Sequence, residues 1–128
     1  MISNYKELIF WQRAHQVVLL VIRLCKGLPR DGISVVLINQ VIRSAGSVGA
    51  NIAEGFGRYK GKEYKRFIQV ALGSANETEY WLLVISDAYP NFKSEIEKIV
   101  EINTEVIKML TSTLRKLNTK SNRLITLV

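Results

Sequence analysis

Residues 92–117 read FKSEIEKIVEINTEVIKMLTSTLRKL, and within them Phe92, Ile96, Ile99, Asn103, Val106, Leu110, Thr113 and Leu117 recur in steps of four and three. That spacing lays one stripe along one side of a helix, the pattern of a bundle seam. Glu95, Glu97, Lys98, Glu101, Glu105 and Lys108 fall on the other side and read as a solvated face. A helix of this kind has to set its stripe against other helices, so the partners must come from the rest of the chain.

Three turn signals punctuate what precedes it: Gly27-Leu28-Pro29, then Gly55-Phe56-Gly57 running on to Lys60-Gly61, then Tyr89-Pro90-Asn91. Helices are expected near residues 5–27, 31–57, 61–88 and 91–117. Asn4 with Glu7 has the spacing of a capping box, Asp31 caps the second helix, and Pro90-Asn91 opens the fourth. Short connections between long helices make neighbours antiparallel. The expected fold is all-α, an antiparallel up-down-up-down four-helix bundle over residues 1–118 with a C-terminal tail at 119–128.

A chain of 128 residues, 48% hydrophobic, can bury a core of its own. Its longest aliphatic run, Val17 to Ile22, is far short of the roughly 20 residues that span a bilayer, so no membrane partner is expected. The first residues lack a basic region leading into an apolar stretch, which points to a cytoplasmic location. Cys25 is the only cysteine and reads as core filler, and a single histidine leaves no Cys/His cluster for zinc. The net charge of +7 predicts attraction to polyanions such as RNA or DNA without predicting specificity.

The first two helices carry more apolar surface than one core can cover. On helix 1, Leu8, Trp11, His15, Val18, Leu19, Ile22 and Cys25 make one face, while Phe10, Val17, Leu20, Val21 and Leu24 extend well beyond it. On helix 2, Ile38, Ile42, Gly46, Gly49, Ala50 and Ala53 form a small or apolar surface apart from Leu37, Val41, Ala45, Val48 and Ile52. Either the loops and tail cover this surplus or another copy does. Patches of this size are rare on soluble monomers, so a homo-oligomer is expected.

Gln40, Arg43, Ser47, Asn51 and Glu54 lie within about 80° of one another on helix 2, a polar line on an otherwise apolar helix. A hairpin of helices 2 and 3 turning near Tyr59-Lys60 sets Arg43 opposite Glu77, and Glu54 opposite Lys65 or Arg66. Glu77 belongs to an expected inward stripe with Val70, Ser74, Trp81 and Ile85, where an unpaired carboxylate would be costly. Gln40, Arg43, Asn51, Glu54, Ser74 and Glu77 are therefore expected to form a structural polar network.

These residues carry a resemblance. Gln40-x-x-Arg43, Asn51-Ile52-Ala53-Glu54-Gly55-x-Gly57-Arg58 and Gly73-Ser74-x-x-Glu77, preceded by Trp11-Gln12-x-Ala14 and Leu28-Pro29, are similar to the bacterial four-helix-bundle proteins named for the intervening sequences of large-subunit ribosomal RNA genes. Those proteins are related to accessory variability determinants of diversity-generating retroelements. The resemblance runs from about Leu8 to Ala88. It implies an up-down-up-down bundle, a homo-oligomeric ring of five copies, and a basic surface that contacts nucleic acid or a partner protein such as a reverse transcriptase. It implies no enzyme. Two departures stand out: Ser44 follows the arginine where alanine is common, and Gly32-Ile33 stand where a glutamate is typical after the proline.

The expected nucleic-acid-binding residues are Arg58, Lys60, Lys62, Lys65 and Arg66, which could hold phosphates while Tyr59 and Tyr64 stack on bases. A second basic group, Arg115, Lys116, Lys120 and Arg123, is expected at the opposite end of the bundle. No catalytic, cofactor or metal site is expected. No glutamate stands three residues before His15, as ferritin-like sites require. Cys25 and His15 lie about 15 Å apart along a helix. Gly55-x-Gly57 lacks both the preceding strand and the Lys-Ser/Thr of a P-loop, so helix termination accounts for it. His15 reads as a core or core-edge histidine making a hydrogen bond. The function expected is a non-enzymatic oligomeric module that binds RNA or DNA as an accessory to a larger machine. The alternative is a scaffold that recruits a partner protein without recognising nucleic acid itself.

Overall fold

The computed structural model describes residues 2–58 and 62–127, with side chains as far as Thr119. Four helices follow in order: α1 (Ile9–Gly27), α2 (Gly32–Phe56), α3 (Lys62–Ala88) and α4 (Lys93–Leu127), with 3-10 turns at Tyr5–Glu7 and Pro90–Phe92. α1 and α3 each pack against both α2 and α4, and among the described residues the backbones of the diagonal pairs do not approach closely. With short connections, this cyclic contact makes an up-down-up-down bundle.

The α4 stripe forms as its spacing predicts: Ile96, Ile99, Asn103, Val106 and Leu110 are buried, with Phe92, Thr113 and Leu117 half-buried. The helix continues to Leu127 instead of ending at Leu117. No glycine or proline follows Pro90, so nothing in the chain stops it.

On α1 the core takes the other stripe, joined by Cys25 from the first. Ala14, Val17, Val21, Leu24 and Cys25 are buried, whereas His15 and Leu19 are exposed and Trp11, Val18 and Ile22 half-buried. Both stripes are apolar, but only the outer one includes an imidazole, whose burial without partners would cost free energy. Trp11 lies across α2 at Gly49, where an added Cβ would come 3.4 Å from the indole nitrogen. On α3 the buried set is Ile68, Ala71, Ala75, Thr78, Leu82 and Ile85. Val70 is exposed, and Ser74, Glu77 and Trp81 sit half-buried on the flank of the core.

At the α1–α2 turn, Asp31 caps α2 by accepting from the backbone N–H groups of Ile33 (2.9 Å) and Ser34 (2.8 Å). The buried Ser34 hydroxyl bonds the Pro29 carbonyl and accepts from the Asp31 N–H at 3.0 Å. The expected box at Asn4 takes another form. Asn4 accepts from the Lys6 N–H, and Glu7 accepts from Ser3. It therefore caps the 3-10 turn, and α1 begins at Ile9, after an N-cap residue, Leu8, that offers no side-chain cap.

α2 and α3 approach closely because Gly55 lets them. A Cβ there would stand 2.7 Å from the Cβ of Phe67, inside any tolerated carbon contact. Gly57 is the residue that ends α2, with right-handed backbone at φ −64°. The two glycines thus do different work.

By length and composition α2 could cross a membrane, and a third of its most apolar window is buried in the bundle. Large apolar side chains remain uncovered on α1 and α2. Ile33 is 68% and Val36 57% exposed, with Val35 beside them in sequence and Ile9 and Leu19 exposed on α1.

Candidate nucleic-acid interface

The Tyr89 hydroxyl donates to the Asp31 carboxylate, 3.3 Å from either oxygen, and so ties the α3–α4 turn to the α1–α2 turn at one end of the bundle. Alternation then carries the α2–α3 connection and the far part of α4 to the other end together. Asn103 donates to the Ala75 carbonyl at 2.9 Å, which fixes the α3–α4 register. Equal steps from that pair bring Lys116 level with Lys62, the first residue of α3. The expectation that the two basic groups occupy opposite ends is therefore corrected: four antiparallel helices put them at the same end.

The cations there are not equivalent. Arg58 is engaged by Glu54 at 3.2 Å and Glu63 at 3.9 Å, and its guanidinium lies 5.7 Å from the Phe67 ring centroid. This also corrects the partner expected for Glu54, because an arginine one helical turn away reaches it before Lys65 or Arg66 can. Lys62, Arg66, Arg115 and Lys116 are exposed and Lys65 half-buried, and among the described residues none of the five forms an ion pair. Between α3 and α4 this end carries a shallow groove of about 310 Å³ in which Leu72 and Leu114 meet the polar side chains of Thr111 and Arg115. Tyr64 is half-buried against the core, and burial raises its hydroxyl pKa; it packs beside Gly55 and is not a free stacking platform. Lys60 and Tyr59 lie outside the described residues, as do the side chains of Lys120 and Arg123.

The polar line on α2 resolves into separate clusters. Arg43 donates to Gln40 at 2.9 Å and to Glu77, the partner that the hairpin register predicts. The Trp81 indole N–H, 2.9 Å from Glu77, and the Arg43 guanidinium together hold the Glu77 carboxyl below its usual range against the opposing effect of desolvation. Asn51 donates to the Ser47 carbonyl and hydroxyl, and Ser74 donates to Ser47 across the helix pair at 3.0 Å. Glu54 stands apart from both. The sequence reading missed the buried pair beside them, in which the Thr78 hydroxyl lies 2.9 Å from Ser44 and 2.8 Å from the Ser74 carbonyl. Its one signal was the serine in place of the usual alanine. Every buried side-chain nitrogen and oxygen among the described residues has a hydrogen-bond partner.

His15 is exposed and stacks, with ring centroids 4.8 Å apart, on Trp11, which is half-buried against the core. Burial pushes the Cys25 thiol up to about 11, which keeps it protonated near neutrality. Among the described residues no three His, Cys, Asp or Glu side chains are placed to hold one metal ion.

Fold and surface together define a basic four-helix bundle, with Lys62, Lys65, Arg66, Arg115 and Lys116 at one end of it. The 23S rRNA-intervening sequence protein family matches residues 6–112, and the chain belongs to that family. The match stops short of Arg115 and Lys116. A solved structure described as a protein with unknown function from the S23 ribosomal protein family of Bacteroides thetaiotaomicron is similar, with 28% identity and a TM-score of 0.75 over 83% of this chain and 98% of that one. No protein of curated function matches.

Proposed function

We propose that this protein is a non-enzymatic homo-oligomeric bundle that binds RNA or DNA through its basic end, as a cytoplasmic accessory to a larger machine. The observation that carries this reading is the convergence of Lys62, Lys65, Arg66, Arg115 and Lys116 at one end without carboxylate partners among the described residues. Such a cluster attracts phosphates whatever the base sequence. Self-association draws support from the uncovered Ile9, Leu19, Ile33, Val35 and Val36. A second copy is the natural cover for them, because α2 already commits its polar side to α3 through Arg43–Glu77 and Ser47–Ser74, contacts that a membrane span would have to abandon. The ring of five copies, the kinship with retroelement accessory proteins and a reverse transcriptase as partner follow from the resemblance alone.

Size-exclusion chromatography with light scattering, run with and without a short structured RNA at low and moderate salt, tests the whole reading. The expected result is a closed oligomer that takes up RNA and releases it as salt rises. Replacing Lys62, Lys65 and Arg66 together by alanine should keep the oligomer, weaken binding and reduce the salt slope by about three. A monomer indifferent to RNA, or binding untouched by the triple replacement, would overturn the proposal. The second reading, a scaffold for a partner protein, is favoured by a groove far from the basic end.

A further inference from the structure

Near the α3–α4 turn, the outer seam between these helices opens into a cavity of about 580 Å³. Ile96 and Val100 of α4 form its apolar floor, with Tyr80 and Leu83 of α3 lining the side. These last two are 57% and 56% exposed, one helical turn apart on the same face. Large apolar groups at that spacing beside a groove match the anchor positions by which an amphipathic helix is held.

The groove's charge opposes that of the whole chain. Glu79, Asp87 and Glu97 stand around it against Lys93 alone, on a molecule of net charge +7. None of these four side chains makes an ion pair among the described residues. The carboxylates repel nucleic acid and favour a ligand whose polar face is basic, while the rest of the surface repels that ligand.

We infer that this groove is the docking site for a short amphipathic helix of a partner protein, with apolar anchors on one face and lysine or arginine on the other. Tyr80 and Leu83 receive the anchors, and Glu79, Asp87 and Glu97 pair with the flanking cations. The inference does not depend on RNA binding. The α3–α4 seam then offers unlike ligands two stations, a basic one near Arg115 and an acidic one near Glu97.

The test titrates a synthetic peptide of about four helical turns, built from leucine at helical spacing and lysine elsewhere, onto the full chain. A matched peptide with glutamate in place of lysine serves as control, and binding is read by calorimetry and by NMR shifts. The lysine peptide is expected to bind and to shift Tyr80, Leu83 and Val100. Tyr80→Ala with Leu83→Ala should weaken it by about tenfold or more. Glu79→Gln with Glu97→Gln should weaken it at low salt and flatten its salt dependence. All four side chains are exposed, so these variants should fold, and circular dichroism checks that they do; their RNA affinity should stay as it was. Equal binding of the glutamate peptide in the groove would overturn the inference, as would indifference to both double variants. So would an oligomer that falls apart on Leu83→Asp, because a second copy would then fill the groove.

Discussion

The two ends of this bundle are built on different physics. At the turn end, polar contacts tie the loops together: Asp31 caps α2, Ser34 closes the loop to Pro29, and Tyr89 joins one turn to the other. At the basic end, close packing holds the helices, with Gly55 against Phe67, and five cations stand without acidic partners among the described residues. A polar group held by several hydrogen bonds fixes geometry, whereas a charge left free can be offered to something else. The difference separates substitutions that unfold the protein from substitutions that only change what it attracts.

The largest effect should come from filling the space that Gly55 leaves. Gly55→Val puts branched carbon where even a Cβ meets Phe67 at 2.7 Å, and should destabilise the bundle by about 3 kcal/mol or more in urea unfolding. Gly73 is the control within the same helix pair, because a Cβ there meets nothing within 4 Å. Gly73→Ala should stabilise by about 0.5–1 kcal/mol through helix propensity. Equal effects at both glycines would mean that packing does not distinguish the basic end.

Ser34→Ala comes next, at the turn end. The hydroxyl is buried, and its loss leaves the Pro29 carbonyl and the Asp31 N–H without it, a cost of about 1–3 kcal/mol. The matching polar change at the basic end, Arg58→Ala, removes pairs that are half exposed and should cost less than about 1 kcal/mol. If Arg58→Ala were the more damaging of the two, the proposed division of labour between the ends would fail.

How much of this was legible beforehand follows the same physics. The α4 stripe could be read because one side is apolar and the other charged, so the period has a single solution. On α1 both sides are apolar, and spacing alone could not choose between the stripe with Val17 and Val21 and the stripe with Trp11 and His15. Arg43 facing Glu77 was legible because one short turn between two long helices leaves little freedom of register. Glu54 was misassigned because a neighbour four residues on in the chain, just past the end of α2, competes with any partner across. The packing role of Gly55 left no mark in the sequence, where a glycine near a helix end reads first as a terminator. The shared end of the two basic groups needed only the alternation of four antiparallel helices, which the contact between Tyr89 and Asp31 makes explicit.

The smallest expected effect is also the most selective, a pH dependence confined to the turn end. The Ser34 N–H, together with those of Ile33 and the Tyr89 hydroxyl, holds the Asp31 carboxyl below its ordinary range. Its contribution to stability is therefore present above the unfolded value of roughly 4 and is lost as pH falls through the lower folded value. Tyr89 is raised, first by desolvation and then by the adjacent Asp31 carboxylate. Its contribution is present below the unfolded value of roughly 10 and is lost as pH rises through the higher folded one. One contact thus weakens in acid and again in alkali. Thermal melts across pH should show Asp31→Asn, which can still cap α2, losing part of the acid-side fall, and Tyr89→Phe losing part of the alkaline one. Glu77 also titrates low and Tyr64 high, so a remainder should persist in both variants. A Tyr89→Phe profile parallel to that of the unchanged protein across the alkaline range would show that the hydroxyl does not couple the two turns, and the turn end would then be held by Ser34 and the α2 cap alone.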